Sequence, residues 1–333
     1  MTELVDRWAG AEWRAEAQAW IGVVLDSYGL KQTEPTEQPP FKFWSTLLVV
    51  PTDHGKLWFK ENNPGQFSEA LVVSAMAELV PEHVVMPLAI EPERGWMLSP
   101  DHGATLATLK STDYTLWSRV VSDFADLQLQ LIPHEEKLFQ SGLFTLDPAS
   151  AANRVENQLG MHAMMPADHP IHLGADEIAS IAAELPEISA AADALASVGI
   201  PLTLEHNDLH HNNAFIPGSS TEPLKYFDFA DSFRAHPLSS MLVPLNVMME
   251  EWRAPANDLR IRRVMNAYLE HWTQYAPITE LRYMLEPAMC FARLNRYASW
   301  MRLLQQADER NLRRYGPKML DNLRNLLKPL GVF

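Results

Sequence analysis

The residues best suited to chemistry cluster between His206 and Asp231. The stretch opens His206-Asn207-Asp208-Leu209-His210-His211-Asn212-Asn213 and closes Tyr226-Phe227-Asp228-Phe229-Ala230-Asp231. Asn213 and Asp228 offer an amide carbonyl and a carboxylate. Such oxygen donors suit Mg²⁺, which keeps water and takes its other ligands from substrate phosphates. Asp208, five residues before Asn213 on the same polar loop, is placed to take a proton from a hydroxyl nucleophile. A zinc site built from His206, His210 and His211 is a weaker reading, because no cysteine pair or H-E-x-x-H helix accompanies them. A plain polar loop of hydrogen-bonded His and Asn is the bland alternative.

These side chains need elements to hold them. Residues 214–216 form a short apolar run, Pro217 to Ser220 are turn formers, and residues 224–229 read as a returning strand. Such a hairpin carries Asn213 at the start of one strand and Asp228 near the end of the other, so the two converge on one cation. Upstream, residues 3–28 carry Trp13, Ala17, Trp20 and Val24 at helical spacing. Residues 32–40 hold three prolines and read as loop or edge strand. The runs 41–50 and 56–60 flank a Gly-containing turn and predict a hairpin, followed by a helix over 67–79 and a strand over 84–90. Beyond Gly103 the pattern is helical: 116–131, two helices within 175–198, then 237–251, 259–275, 281–303 and 308–328.

The loop pattern H-x-D-x-x-x-x-N with a strand-borne Asp downstream is the phosphoryl-transfer constellation of protein-kinase-like enzymes. It resembles the aminoglycoside phosphotransferase family in particular, whose loop reads H-G-D-L-H-x-x-N and whose metal strand reads D-[FW]-x-D. Asp208, His210, Asn213, Asp228 and Asp231 fit that pattern. The resemblance implies an α+β, two-lobed fold, with an antiparallel-sheet N-lobe for nucleotide over 1–100 and a mostly helical C-lobe over 101–333. It implies Asp208 and His206 as the catalytic residues and Asn213 and Asp228 as the metal ligands. Lys60 would hold the nucleotide phosphates, paired with Glu69 on the following helix. The run Gly95 to Gly103 looks like the family's hinge, whose register implies that the Ser99 carbonyl and the Asp101 amide contact the base.

The implied activity is an ATP- or GTP-dependent O-phosphotransferase that uses Mg²⁺ and acts on a hydroxyl of a sugar, aminoglycoside or amino alcohol. Glu250, Glu251 and Trp252 are candidates for reading that acceptor, against the simpler view of a solvated helix face. Asp231 is either a further metal-site acid or a structural one. Three departures bear on this. Asn207 stands where the family has Gly. The segment Glu37-Gln38-Pro39-Pro40-Phe41-Lys42, expected to cover the phosphates, has no glycine. His236-Pro237-Leu238-Ser239-Ser240 puts Ser240 where a second Asp is usual. Asn207 and Ser240 motivate a nucleotide-binding pseudokinase as the alternative; the His cluster motivates a metal-dependent hydrolase.

Composition sets the remaining bounds. The chain has 333 residues, 47% of them hydrophobic, enough for a sizeable core. A net charge of -15 argues against a nucleic-acid partner. Cys290 is the only cysteine, so no intrachain disulfide forms. The first residues lack the basic and apolar pattern of a signal peptide, and no apolar run approaches a membrane span. A cytoplasmic protein is the expectation.

Overall fold

Gly10 breaks the expected N-terminal helix in two. The computed structural model describes residues 4–111 and 113–333, beginning with α1 (Leu4–Ala9) and α2 (Ala11–Tyr28). Gly10 is extended between them, and Gly29, with φ at 66°, closes α2 in the left-handed conformation that glycine adopts freely. Trp13, Ala17, Ile21 and Val24 form the buried stripe of α2.

That stripe lies on an antiparallel sheet. Its strands are β1 (Ser45–Thr52), β2 (Gly55–Asn62), β3 (Ala89–Glu91) and β4 (Trp96–Pro100), in the order β1-β2-β4-β3. Alternation along β2 sends Phe59 into the aromatic cluster with Trp13, Trp20 and Trp96 and turns Lys60 to the opposite face. That face is covered by α3 (Glu69–Leu79). Residues 32–40 pair with the β1 backbone only at the bridges Gln32↔Thr52 and Glu37↔Val49, since proline cannot donate to a ladder, and Gln38 Nε2 also donates to Thr46 Oγ1 at 2.8 Å.

The expected strand over 41–50 starts only at Ser45. The Ser45 amide bonds the Lys42 carbonyl at 3.2 Å to close a turn, and Phe43 leaves the sheet for the helical core. The expected strand over 84–90 shrinks to β3, because Pro87 interrupts it.

The remainder is mostly helical. It comprises α4 (Tyr114–Leu131), α5 (Glu135–Gln140), α6 (Ala151–Ala163), α7 (Ala175–Ala182), α8 (Leu185–Val198), α9 (Leu242–Trp252), α10 (Leu259–Glu270), α11 (Ile278–Leu304) and α12 (Glu309–Arg324). A short pair, β5 (Thr203–Glu205) and β6 (Phe233–Ala235), sits inside it. Pro186 stands in the first turn of α8, where its missing amide costs nothing, and so divides α7 from α8. The middle of α11, from Ala288 to Asn295, is buried and forms the spine of the core. No described helix is long and apolar enough to cross a membrane. The whole is α+β: a four-stranded antiparallel sheet with its helices, and a helical lobe.

The hairpin expected around residues 214–229 is smaller than its sequence suggests. Only the bridge Ala214↔Tyr226 forms, flanked by Phe215 N to Lys225 O at 2.9 Å and Phe227 N to Asn213 O at 3.1 Å. Tyr226 also bridges Val84, and the chain turns left-handed at Asp228, which ends the ladder.

Candidate active site

Asn207 makes the loop possible. The chain leaves β5 at Glu205 and reverses at Asn207, whose φ of 59° lies in the region that Asn tolerates better than most side chains. Its amide nitrogen then ties the turn to the carbonyls of Asp231 and Asn295, each at 3.3 Å. Leu209 is buried in the core, which leaves Asp208 and His210 on the open side. The loop closes in a short 3-10 turn at His211–Asn213, where the Asn212 amide donates to His210 Nδ1 at 3.1 Å.

Asp208 is held from three directions. Asn213 Nδ2 donates to its carbonyl at 3.0 Å and its carboxylate at 3.3 Å. His210 Nε2 lies 3.4 Å from Oδ2, and since Nδ1 of that ring accepts, Nε2 is the donor. Arg296 Nη1, from α11, lies 3.4 Å from Oδ1. Burial works against the charged carboxylate, but the His210 hydrogen bond and the Arg296 charge outweigh it and hold the pKa well below the ordinary range.

Arg296 also reaches Asp231 Oδ2 at 3.5 Å. Asp231 accepts from Gln66 Nε2 at 2.5 Å and from Ser299, yet burial pushes its pKa up. Two carboxylates thus share one guanidinium, and their pKa values part, Asp208 down and Asp231 up.

Lys60 occupies the floor of the sheet lobe. Its Nζ lies 2.7 Å from Glu69 Oε2 on α3 and 2.6 Å from Asp228 Oδ1. Burial alone would lower the ammonium's pKa; Asp228 and Glu69 override it and raise it. Glu69 is also fixed by Asn62 Nδ2 at 2.6 Å. Asp228 stands at a left-handed turn, φ 64°, with its side chain 43% exposed to the cleft.

Mg²⁺ fits what these residues leave open. The Asn213 amide nitrogen is committed to Asp208, so its carbonyl oxygen remains for a cation. Asp228 keeps a second oxygen beyond the one that Lys60 holds.

His206 is placed differently from Asp208. Its ring is buried against Phe229 and Phe124, and Nε2 bonds the Phe227 carbonyl at 3.0 Å. It joins the loop to the segment bearing Asp228 and does not face the cleft. His211 instead pairs with Glu251 Oε1 at 3.2 Å, so the three imidazoles point to three different partners. Glu251 thereby braces the loop, Trp252 is buried under Arg260, and Glu250 is exposed.

Ser99 and Asp101 line the apolar cleft above Lys60, a cavity of about 310 Å³ walled by Trp58, Met97 and Phe227. The backbone groups expected to meet a base are committed elsewhere, which corrects the hinge register. The Asp101 amide donates to the Lys56 carbonyl at 3.0 Å, and by antiparallel alternation Ser99 exchanges its bonds with Trp58. By the same alternation the Pro100 carbonyl faces the other way.

Three contributors lie outside the motifs. Arg296 and Gln66 are brought in by packing alone. Glu205, buried under the loop beside His206, accepts from Ser239 Oγ at 2.8 Å and from Asn295 Nδ2. Ser240, where a second acid is usual, accepts from Gln128 at 3.0 Å. An acid in the otherwise uncharged run Thr203-Leu204-Glu205 was the available signal.

No protein-family model and no curated protein matches the sequence. Solved structures do match in fold. An ethanolamine kinase from Plasmodium vivax is 13% identical, with a TM-score of 0.62 over 90% of this chain and 86% of its own. A macrolide 2'-phosphotransferase type I is 14% identical, with a TM-score of 0.58 over 91% and 96%. A choline kinase from Cryptosporidium parvum Iowa II is 14% identical, with a TM-score of 0.57 over 91% and 90%. At these identities the likeness is one of fold, and it spans nearly the whole chain.

Proposed function

We propose that this chain, which has the protein-kinase-like fold of small-molecule phosphotransferases, transfers a phosphoryl group from ATP or GTP to a hydroxyl of a small molecule. One observation carries the reading: Asp228, which with Glu69 clamps Lys60 in one cavity, also lines the adjoining cavity that holds Asp208. A phosphate-binding cation, two oxygen donors for Mg²⁺ and a carboxylate facing the incoming hydroxyl are the parts that phosphoryl transfer needs.

The nucleobase would enter the apolar cleft and meet the Pro100 carbonyl and the His102 amide. Lys60 would hold the phosphates, and Asn213 and Asp228 would hold Mg²⁺, which when bound neutralises charge on the phosphate oxygens. Asp208, kept ionised by His210 and Arg296, orients the acceptor hydroxyl. As the oxygen bonds the γ-phosphorus and the bond to the leaving diphosphate breaks, Asp208 takes the hydroxyl proton. Little base strength is required, because the transition state is loose and catalysis rests on position and charge.

Asp208→Asn keeps the side chain's size and removes its charge. Calorimetry should show near-native Mg-nucleotide binding, while transfer to a responsive acceptor falls by about 10² to 10⁴. Equal loss of binding and rate would make Asp208 a metal or structural residue. Bound nucleotide with no transfer by the unaltered protein, across a broad acceptor panel, would select the pseudokinase reading.

A further inference from the structure

A second cavity, of about 240 Å³, adjoins the nucleotide cleft and shares Asp228 with it. Asp208, Arg296 and Trp300 line it from the helical lobe, and Trp44 and Asn62 line it from the sheet lobe. Resting on the phosphotransferase reading, we infer that this cavity is the acceptor site, that it takes a compact hydroxyl compound smaller than a nucleoside, and that Trp44 sets the size limit.

Position supports the assignment. A hydroxyl bound here meets Asp208 on one side and, across Asp228, the end of a nucleotide seated in the neighbouring cleft. Size follows from comparison within the molecule. The cleft for the nucleobase and its sugar measures about 310 Å³, so a 240 Å³ space holds less than that. It also falls below the roughly 300–1,000 Å³ of pockets that seat drug-sized ligands.

The limit would mean little if the wall could swing away, but it is bolted down. The turn between Lys42 and Ser45 has Phe43-Trp44 at its tip, and Trp44 and Ser45 line the cavity. Phe43 is 3% exposed and belongs to the helical core, with its ring 5.5 Å from Tyr315 on α12. Trp44 packs edge-on against the same tyrosine at 5.7 Å, and Trp300 stacks on it at 5.4 Å.

Backbone bonds complete the attachment. The Asn63 amide donates to the Trp44 carbonyl at 2.7 Å, and its side chain donates to the carbonyls of Phe43 at 3.1 Å and Leu303 at 3.4 Å. Next to it, Gly65 runs so close to α11 that an added Cβ would lie 2.2 Å from the Arg302 carbonyl. A free flap at this turn would let the cavity widen for a large acceptor. A turn pinned to α11 and α12 gives a cavity of fixed width, with the Trp44 indole as its wall.

The test pairs kinetics with a binding signal that does not depend on turnover. The panel runs from amino alcohols and single-ring sugars to multi-ring aminoglycosides. The intact protein should use only the small members, and Trp44→Ala should move kcat/KM toward the larger ones by roughly tenfold or more. KM for the nucleotide should stay unchanged, a split that general loosening would not produce. Trp44→Leu serves if the alanine variant fails to fold.

In parallel, protein labelled with 5-fluorotryptophan, its Trp44 resonance assigned by loss in Trp44→Phe, reports occupancy. Panel members that bind should shift that resonance. A shift without any turnover would sink the phosphotransferase reading and leave the site standing. Turnover without a shift, no shift from any compound, equal use of multi-ring acceptors by the intact protein, or an unaltered size ranking in the variants would overturn the inference.

Discussion

Lys60 and Glu69 form an ion pair of 2.7 Å in which the carboxylate is almost wholly removed from water, at 1% exposure. Glu69 Oε1 has no hydrogen-bond partner among the described residues, so the pair and Asn62 carry the whole compensation for its burial. The lysine is therefore a structural cation as well as a candidate phosphate ligand.

Removing it separates those roles. Lys60→Ala leaves a buried, uncompensated carboxylate, which typically costs about 3 to 5 kcal/mol. The thermal midpoint should drop accordingly, and nucleotide affinity should be lost. Adding Glu69→Gln removes the stranded charge, so the double variant should recover much of the midpoint in calorimetry while nucleotide binding stays absent. A double variant that regains nucleotide binding would show that the phosphates are held elsewhere.

Glu205 gives a pH signature. Burial raises its carboxyl from 4.5 to about 7, against the hydrogen bonds from Ser239 and Asn295. Between those two values the folded protein holds a proton that the unfolded chain has released. Folding stability from this group is thus fully present below pH 4.5 and is lost as pH rises toward 7. Glu205→Gln keeps an acceptor for both donors and removes the titration. Denaturant unfolding should therefore show the variant gaining on the parent from pH 4.5 to 7, by up to about 3 kcal/mol, with no further gain above. Parallel curves would remove Glu205 as the source.

The sequence exposes Asp208, Asn213 and Asp228 because their placement is local: loop chemistry and a short return segment suffice to bring them together. Arg296 and Gln66 could not be found that way. Their partners lie on distant segments, and only the packing of α11 against the loop makes a generic Arg and Gln functional neighbours. The hinge register failed for a related reason: with a period of two, a shift of one residue exchanges inward and outward backbone groups. Phe43 and Trp44 extended the expected β1 because apolar residues that dock on a helix look the same in sequence as strand residues facing a core. The helices were plainer, since prolines and glycines mark several of their ends.

Asn207 offers the sharpest check on the loop itself. At φ 59° an ordinary L-residue pays roughly 1 to 2 kcal/mol, a cost that glycine escapes. The side chain adds bonds to the Asp231 and Asn295 carbonyls, which tie the loop to α11. Asn207→Ala loses both the tolerance and the bonds; Asn207→Gly loses only the bonds. Glycine should therefore be the milder change by about 1 kcal/mol in chemical unfolding, and alanine should also reduce phosphotransfer further, because Asp208 follows directly on the strained residue. If alanine matched or exceeded glycine in stability, the left-handed turn at Asn207 would not be the conformation that the loop adopts.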